Sequence, residues 1–203
     1  MPLIKILTSI QKKEFEEAPI LNQELKNEIF KLPNELEQQV YSLNNSSNQI
    51  HFILMFGYFK ITHRFFDSVT YYNEDIEYII SKFKLVNCLY TSDIAQSTLT
   101  LYKRQIRQYF YCVKFTSNIY EILQKESNLL VRKLLKMQDI FYLLVEKSME
   151  LKIEIPSYTQ IVTIISSSIN TQNNLVYKKI KKYENHEALK NLDYLLKEDV
   201  SNP

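Results

Sequence analysis

One glycine, Gly57, serves all 203 residues, and it sits inside an apolar run rather than at a turn. Hairpin corners, tight turns and phosphate-cradling loops need positive φ, which glycine adopts at the least steric cost. A sandwich, a barrel, a P-loop or a dinucleotide fingerprint therefore has nowhere to bend in this sequence. Helices joined by polar connectors remain, and an apolar share of 45% is enough to bury a core between them. The expectation is an all-α, multi-helical chain.

No stretch of about 18 apolar residues escapes charge. The longest, 129–155, is broken by Arg132, Lys133, Lys136, Asp139, Glu146 and Lys147, and reads as one long central helix. The opening MPLIKILTS is too short and too quickly charged for a secretory signal. A cytoplasmic chain without membrane contact is expected. Cys88 and Cys112 stand apart, with no CxxC and no nearby histidine, as reduced thiols do. His51, His63 and His186 lack ligand spacing, and acidic pairs such as Glu74/Asp75 read as surface helix turns. No catalytic residue, metal, cofactor or small-molecule substrate is expected.

Helix starts can be read along the chain. Thr8 or Ser9 caps a first helix that ends before Pro19, and Leu25, Ile29 and Leu32 share a face in a second. Pro33 opens a third, with Leu36, Val40 and Leu43 aligned. The dense segment NNSSNQIHFILMFGYFK then follows, so three short helices precede a longer apolar one, as in helix-turn-helix DNA-binding domains. Asn73 or Asp75 caps the next helix, which turns Ile76, Ile79, Ile80 and Phe83 inward. Ser157 and Gln160 have capping-box spacing after Pro156, ahead of the stripe Tyr158, Ile161, Ile165 and Ile169. The last helix is expected to turn Leu175, Val176, Ile180 and Tyr183 inward and its lysines outward. Two tandem helix-turn-helix-like subdomains, 1–72 and 73–196, with a tail at 197–203, are the expected organisation.

Charge is unevenly placed. Residues 101–150 carry nine Lys/Arg against five Asp/Glu, while 1–50 carry five against seven. Lys103, Arg107 and Lys114 fall on one helical face at offsets of four and seven, with Arg104 beside them; Lys178, Lys179, Lys181 and Lys182 crowd the last helix. Two basic concentrations of this kind suit a polyanion.

Several stretches resemble the Tn-three-type replicative transposases. ILTSIQKKEFEEAP is similar to that family's opening, and SSNQIHFILMFGYFK is similar to a family signature through Asn48, Phe52, Leu54, Gly57, Tyr58 and Lys60. Phe65 and Phe66, DIEYI at 75–79, YKRQIRQYF and IPSYTQIVTII continue the likeness, which spans roughly residues 3 to 196. Gln49 stands where the family usually has a basic residue. The resemblance implies the N-terminal DNA-binding region, which recognises the transposon's terminal inverted repeats. The catalytic RNase H-like domain would lie beyond residue 203, so the chain is expected to be either a fragment or a truncated stand-alone protein, and not an enzyme by itself.

On this reading double-stranded DNA is the partner, with a full-length transposase or self-association as further partners. Asn45, Ser46, Ser47, Asn48 and Gln49 either cap the apolar helix or touch DNA, since Asn and Gln pair with adenine edges. Lys60, His63 and Arg64 either complement the helix end or contact phosphate. Lys103, Arg104, Arg107 and Lys114 form the main basic patch, and Tyr158, Thr159 and Gln160 open a recognition helix. The four C-terminal lysines supply backbone contacts that read no sequence. The rival expectation is a helical protein-interaction or regulatory module that pairs with a full-length transposase.

Overall fold

The computed structural model describes residues 4–43, 45–85, 89–133 and 135–183. Cys88, His186 and the expected tail at 197–203 lie outside them, as does the Tyr183 side chain. The described residues form nine α-helices and no strand: α1 Ser9–Glu16, α2 Gln23–Ile29, α3 Asn34–Tyr41, α4 Ser46–Thr62, α5 Asn73–Lys82, α6 Gln96–Tyr109, α7 Ser117–Arg132, α8 Met137–Glu150 and α9 Tyr158–Tyr183. The fold is all-α, and no helix among these residues is long and apolar enough to cross a membrane.

Side chains set the helix starts. Thr8 and Gln11 form a capping box at α1, Asn22 caps α2, and Asn45 accepts from the Ser47 and Asn48 amides at α4. Ser157 and Gln160 make the capping box expected at α9. The cap of α5 differs from expectation. Its N-cap is Tyr72, without a side-chain bond, and Asp75 points inward instead of standing on the surface.

The fold has two cores. In the first, α2, α3, α5 and α6 pack around α4, whose residues 49–59 are all buried. This core draws on residues from Ala18 to Cys112, so the expected subdomain boundary at 72/73 does not coincide with a break in packing. In the second, α7, α8 and α9 pack together and take Leu7 and Phe15 from the chain's start. Between α7 and α9, buried Ser127 and Ser168 allow close approach, and Gln124 donates across the seam to Ser168 and to the Ile164 carbonyl, the latter at 3.2 Å.

Several links join the cores among the described residues. Val113 and Ile153 form an isolated parallel bridge, the Ile155 amide donates to the His63 carbonyl at 3.0 Å, and Arg107 pairs with Glu154 at 2.8 Å. The Arg64 guanidinium lies 3.8 Å from the Phe15 ring centroid and 5.2 Å from that of Phe66. A half-buried guanidinium held between rings replaces part of its water by π-faces.

Two helices depart from the sequence reading. The single helix expected across 129–155 is two helices, α7 and α8, parted near residue 133. Each buries its own narrow face, Leu123, Ser127 and Leu130 in one and Ile140, Phe141, Leu144 and Ser148 in the other. Two amphipathic stripes read end to end look like one helix that is apolar all round. On α9 the expected inward face ends early: Leu175, Val176 and Ile180 are 40%, 44% and 52% exposed, because no helix among the described residues covers that length.

A buried histidine, His51, and a half-buried one, His63, give the fold a pH dependence. His51 Nε2 lies 2.9 Å from the Thr91 carbonyl, which can only accept, so Nε2 carries the proton and Nδ1 is bare, with no partner among the described residues. Burial holds the His51 and His63 imidazoles below the ordinary histidine value. The unfolded chain takes up these protons near pH 6.5, whereas the folded chain resists them to lower pH. The stabilising contribution of the neutral rings is thus complete above about pH 6.5 and is lost as pH falls through the folded values. Urea midpoints should drop between pH 6.5 and 5, and drop less in a His51→Gln/His63→Asn variant. Equal slopes in the two proteins would contradict this.

Candidate nucleic-acid interface

The candidate site forms where the cores meet. His63 closes α4 in the left-handed region, with φ 52°, and the chain then turns to bring Phe65 under α6. Phe65 stacks on Phe59 with ring centroids 4.5 Å apart. Over the same ring stand the Lys103 ammonium at 5.4 Å and the Arg107 guanidinium at 5.7 Å from its centroid. Lys103 is half-buried, and burial holds its pKa below the usual lysine value; Glu154 and Asp67 oppose that shift, while Arg107 and Lys114 add to it.

Phe65 separates two hollows. One, of about 230 Å³, is lined by Arg64, Lys114, Glu154, Ser157 and Gln160; the other, of about 480 Å³, lies beside Lys103, Asp67, Ser92 and Gln96. The first opens at the N-terminus of α9, where backbone N–H groups and the helix dipole favour an anion. Arg107 is already paired with Glu154 and serves to hold the two cores in register. Lys103 and Lys114 carry no ion pair among the described residues, and Arg104 stands exposed on the outer face of α6.

Of the residues expected at a site, the structure gathers Arg64, Lys103, Arg107, Lys114 and Gln160 here, with Arg104 and Thr159 exposed nearby on α6 and α9. Lys114 is not on the face of α6, which ends at Tyr109; a left-handed turn at Tyr111 carries it across to the second core.

The cluster at the start of α4 resolves the other way. Asn45 is the cap, Ser47 is buried and donates to the Thr91 carbonyl at 3.1 Å, and Gln49 is buried and donates to the Leu43 carbonyl at 2.8 Å. Ser46 and Asn48 are half-buried. Ser47 and His51 fasten Thr91 to α4, Gln49 ties α4 back to the Leu43 carbonyl, and the cluster leaves no row of free amides for base edges among the described residues.

Other candidates are also committed to the fold. Lys60 donates to the Glu28 carbonyl at 3.0 Å, His63 stacks on Phe59, and Arg64 is held between Phe15 and Phe66. Tyr158 is buried, and its hydroxyl accepts from the Ile6 amide at 3.3 Å. Lys178, Lys179, Lys181 and Lys182 are exposed at the far end of α9. At 1.5 Å per residue, Lys178 lies roughly 27 Å from Gln160. Phe65 and Glu154 were not singled out from sequence as site groups; the Phe65–Phe66 pair directly after an apolar helix was the visible signal.

The family described as Domain of unknown function (DUF4158) matches residues 6–168. The chain belongs to this family. No curated protein matches it. The matched residues run through both cores and all the links between them, so the junction that carries the candidate site belongs to the shared domain.

Proposed function

We propose that this DUF4158 chain binds double-stranded DNA, and that, as its resemblance to Tn-three-type replicative transposases implies, the duplex is a transposon end. The chain would act as the DNA-binding N-terminal region of such a transposase. The observation that carries the reading is the junction groove, where Lys103 and Lys114 stand free of ion pairs among the described residues beside the N-terminus of α9. A lysine partly stripped of water gains more from a phosphate than a fully solvated one does. α9 supports it further, since residues 156–183 contain no Asp or Glu to repel a phosphate backbone.

The rival, a helical module that pairs with a full-length transposase, has one observation in its favour. Leu175, Val176 and Ile180 continue the buried face of α9 past the helices that cover it. Salt separates the two readings, because each neutralised phosphate steepens the slope of log K against log[salt] by about 0.9. A Lys103→Gln/Arg104→Gln/Lys114→Gln variant should bind a random duplex with a slope shallower by about 2 to 3 and an unchanged fold. An unchanged slope would remove the junction from the interface.

A further inference from the structure

We infer that the outward face of α9 is the part that enters the major groove and reads base edges, with Thr163, Ser167 and Asn174 as its central contacts. This inference rests on the DNA-binding reading above and assigns the sequence-reading element within it.

The face is continuous. Gln160, Thr163, Ser167 and Asn174 recur every three to seven residues and fall on one side of the helix, with Lys178 and Lys181 continuing the row. Gln160, Thr163 and Asn174 are exposed and Ser167 is half-buried. The opposite side, Ile161, Val162 and Ile165, is fully buried, and α7 runs along the helix, so it is rigidly mounted.

The chemistry of the face is unusual for a solvated helix. From Tyr158 to Tyr177 it carries no Asp, Glu, Lys or Arg. Exposed helix faces ordinarily carry charge. The side chains here are amides and hydroxyls, which pair with base edges in the major groove. Thr163 and Thr171 each donate their hydroxyl to the carbonyl four residues back, at 2.8 and 2.9 Å. Their outward lone pairs are left as acceptors for an adenine or cytosine amino group, and the Thr methyls can meet a thymine methyl.

Shape and charge select the occupant. A helix about 10–12 Å across fits a groove about 12 Å wide. Cations stand at both ends of the neutral row, Lys114 beside Gln160 in the junction hollow and Lys178 and Lys181 beyond Asn174, where the flanking phosphates would lie. A protein partner would be expected to meet apolar or aromatic residues at the centre of its interface. The row has none before Tyr177; the exposed Leu175, Val176 and Ile180 lie off it.

The test is selection from a randomised duplex library with the whole chain, followed by the Thr163→Ala/Ser167→Ala/Asn174→Ala variant. All three positions are outside the core, so the variant should fold as the parent does. The parent should enrich one motif. The variant should bind random duplex as the parent does yet lose about 1,000-fold of its preference for the motif, from three contacts worth roughly tenfold each. Enrichment of the same motif at unchanged affinity by the variant would overturn the assignment. Equal affinity of the parent for every duplex would also overturn it while leaving the DNA-binding reading standing. A parent dimer in sedimentation that the variant dissolves would overturn the assignment alone, whereas no binding of any duplex at 50 mM salt would remove both.

Discussion

Asp75→Asn should cost about 3–5 kcal/mol of folding stability, which is a large fraction of the roughly 5–15 kcal/mol a domain has. Asp75 accepts from Lys26 at 2.6 Å and from the Tyr58 hydroxyl at 2.6 Å, and its side chain is only 2% exposed. The Lys26 side chain is 10% exposed, so a neutral partner leaves an ammonium with little water and no counter-charge. Tyr58 remains a donor throughout the ordinary pH range, because burial, then its bond to Asp75, raises its pKa. Tyr58→Phe should therefore cost less, about 1–2 kcal/mol, by leaving one carboxylate oxygen unsatisfied. Adding Lys26→Met to Asp75→Asn should restore most of the loss, since the pair's own net worth after desolvation is small. Urea denaturation of the four proteins measures this, and a loss under 1 kcal/mol for Asp75→Asn would mean that the pair is solvated.

Gly57→Ala should also destabilise, against the rule for helices. In an open helix the change gains about 1 kcal/mol from propensity. Here a Cβ would fall 2.5 Å from Phe30 Cε1, closer still to Phe30 Cδ1, and 2.9 Å from Ile29 Cγ2. Phe30 is fully buried and set edge-on against Tyr58, so the ring has no free direction in which to retreat. Overpacking of this kind costs about 1–3 kcal/mol or more and outweighs the propensity gain. Adding Phe30→Leu should give Gly57→Ala a smaller penalty than it has in the parent background. A raised urea midpoint for Gly57→Ala alone would show that α2 and α4 can part at no cost. The chain's single glycine is thus a packing site, where α2 crosses α4.

That glycine shortage also explains what the sequence concealed. Helix ends are usually marked by glycine in the left-handed region. In this chain Lys84, Tyr111 and Lys152 take that role after α5, α6 and α8, with φ of 53°, 51° and 52°. Each end is closed by an amide bonding five residues back: Leu85 to Ile80 at 3.0 Å, Cys112 to Arg107 at 2.8 Å and Ile153 to Ser148 at 2.8 Å. With no glycine to mark them, the end of α6 and the parting of α7 from α8 were illegible. Lys114 was therefore placed on the wrong element.

Helix starts were legible, because their signals are local: Thr8 with Gln11, Asn45, and Ser157 with Gln160. The all-α class was legible for the same reason, through apolar spacing and the lack of turn residues. Non-local partnerships were not. Asp75 resembled a surface acid until Lys26, on another helix, came to meet it. Ser47 and Gln49 resembled groups that could cap the helix or touch DNA until the Thr91 and Leu43 carbonyls took up their hydrogen bonds. At the junction, basic residues were visible but their division of labour was not. Arg64 and Arg107 are committed to the fold, and Lys103, Arg104 and Lys114 remain for a ligand.

The most direct test of the central claim is a fluorescence-anisotropy titration of the whole chain against a 30-base-pair duplex at several salt concentrations. Three junction cations and the α9 lysines should give a slope of log K against log[salt] of about −3 or steeper. A chain that leaves the duplex unbound at 50 mM salt, or binds it with no dependence on salt, would contradict the claim that this junction is a DNA interface.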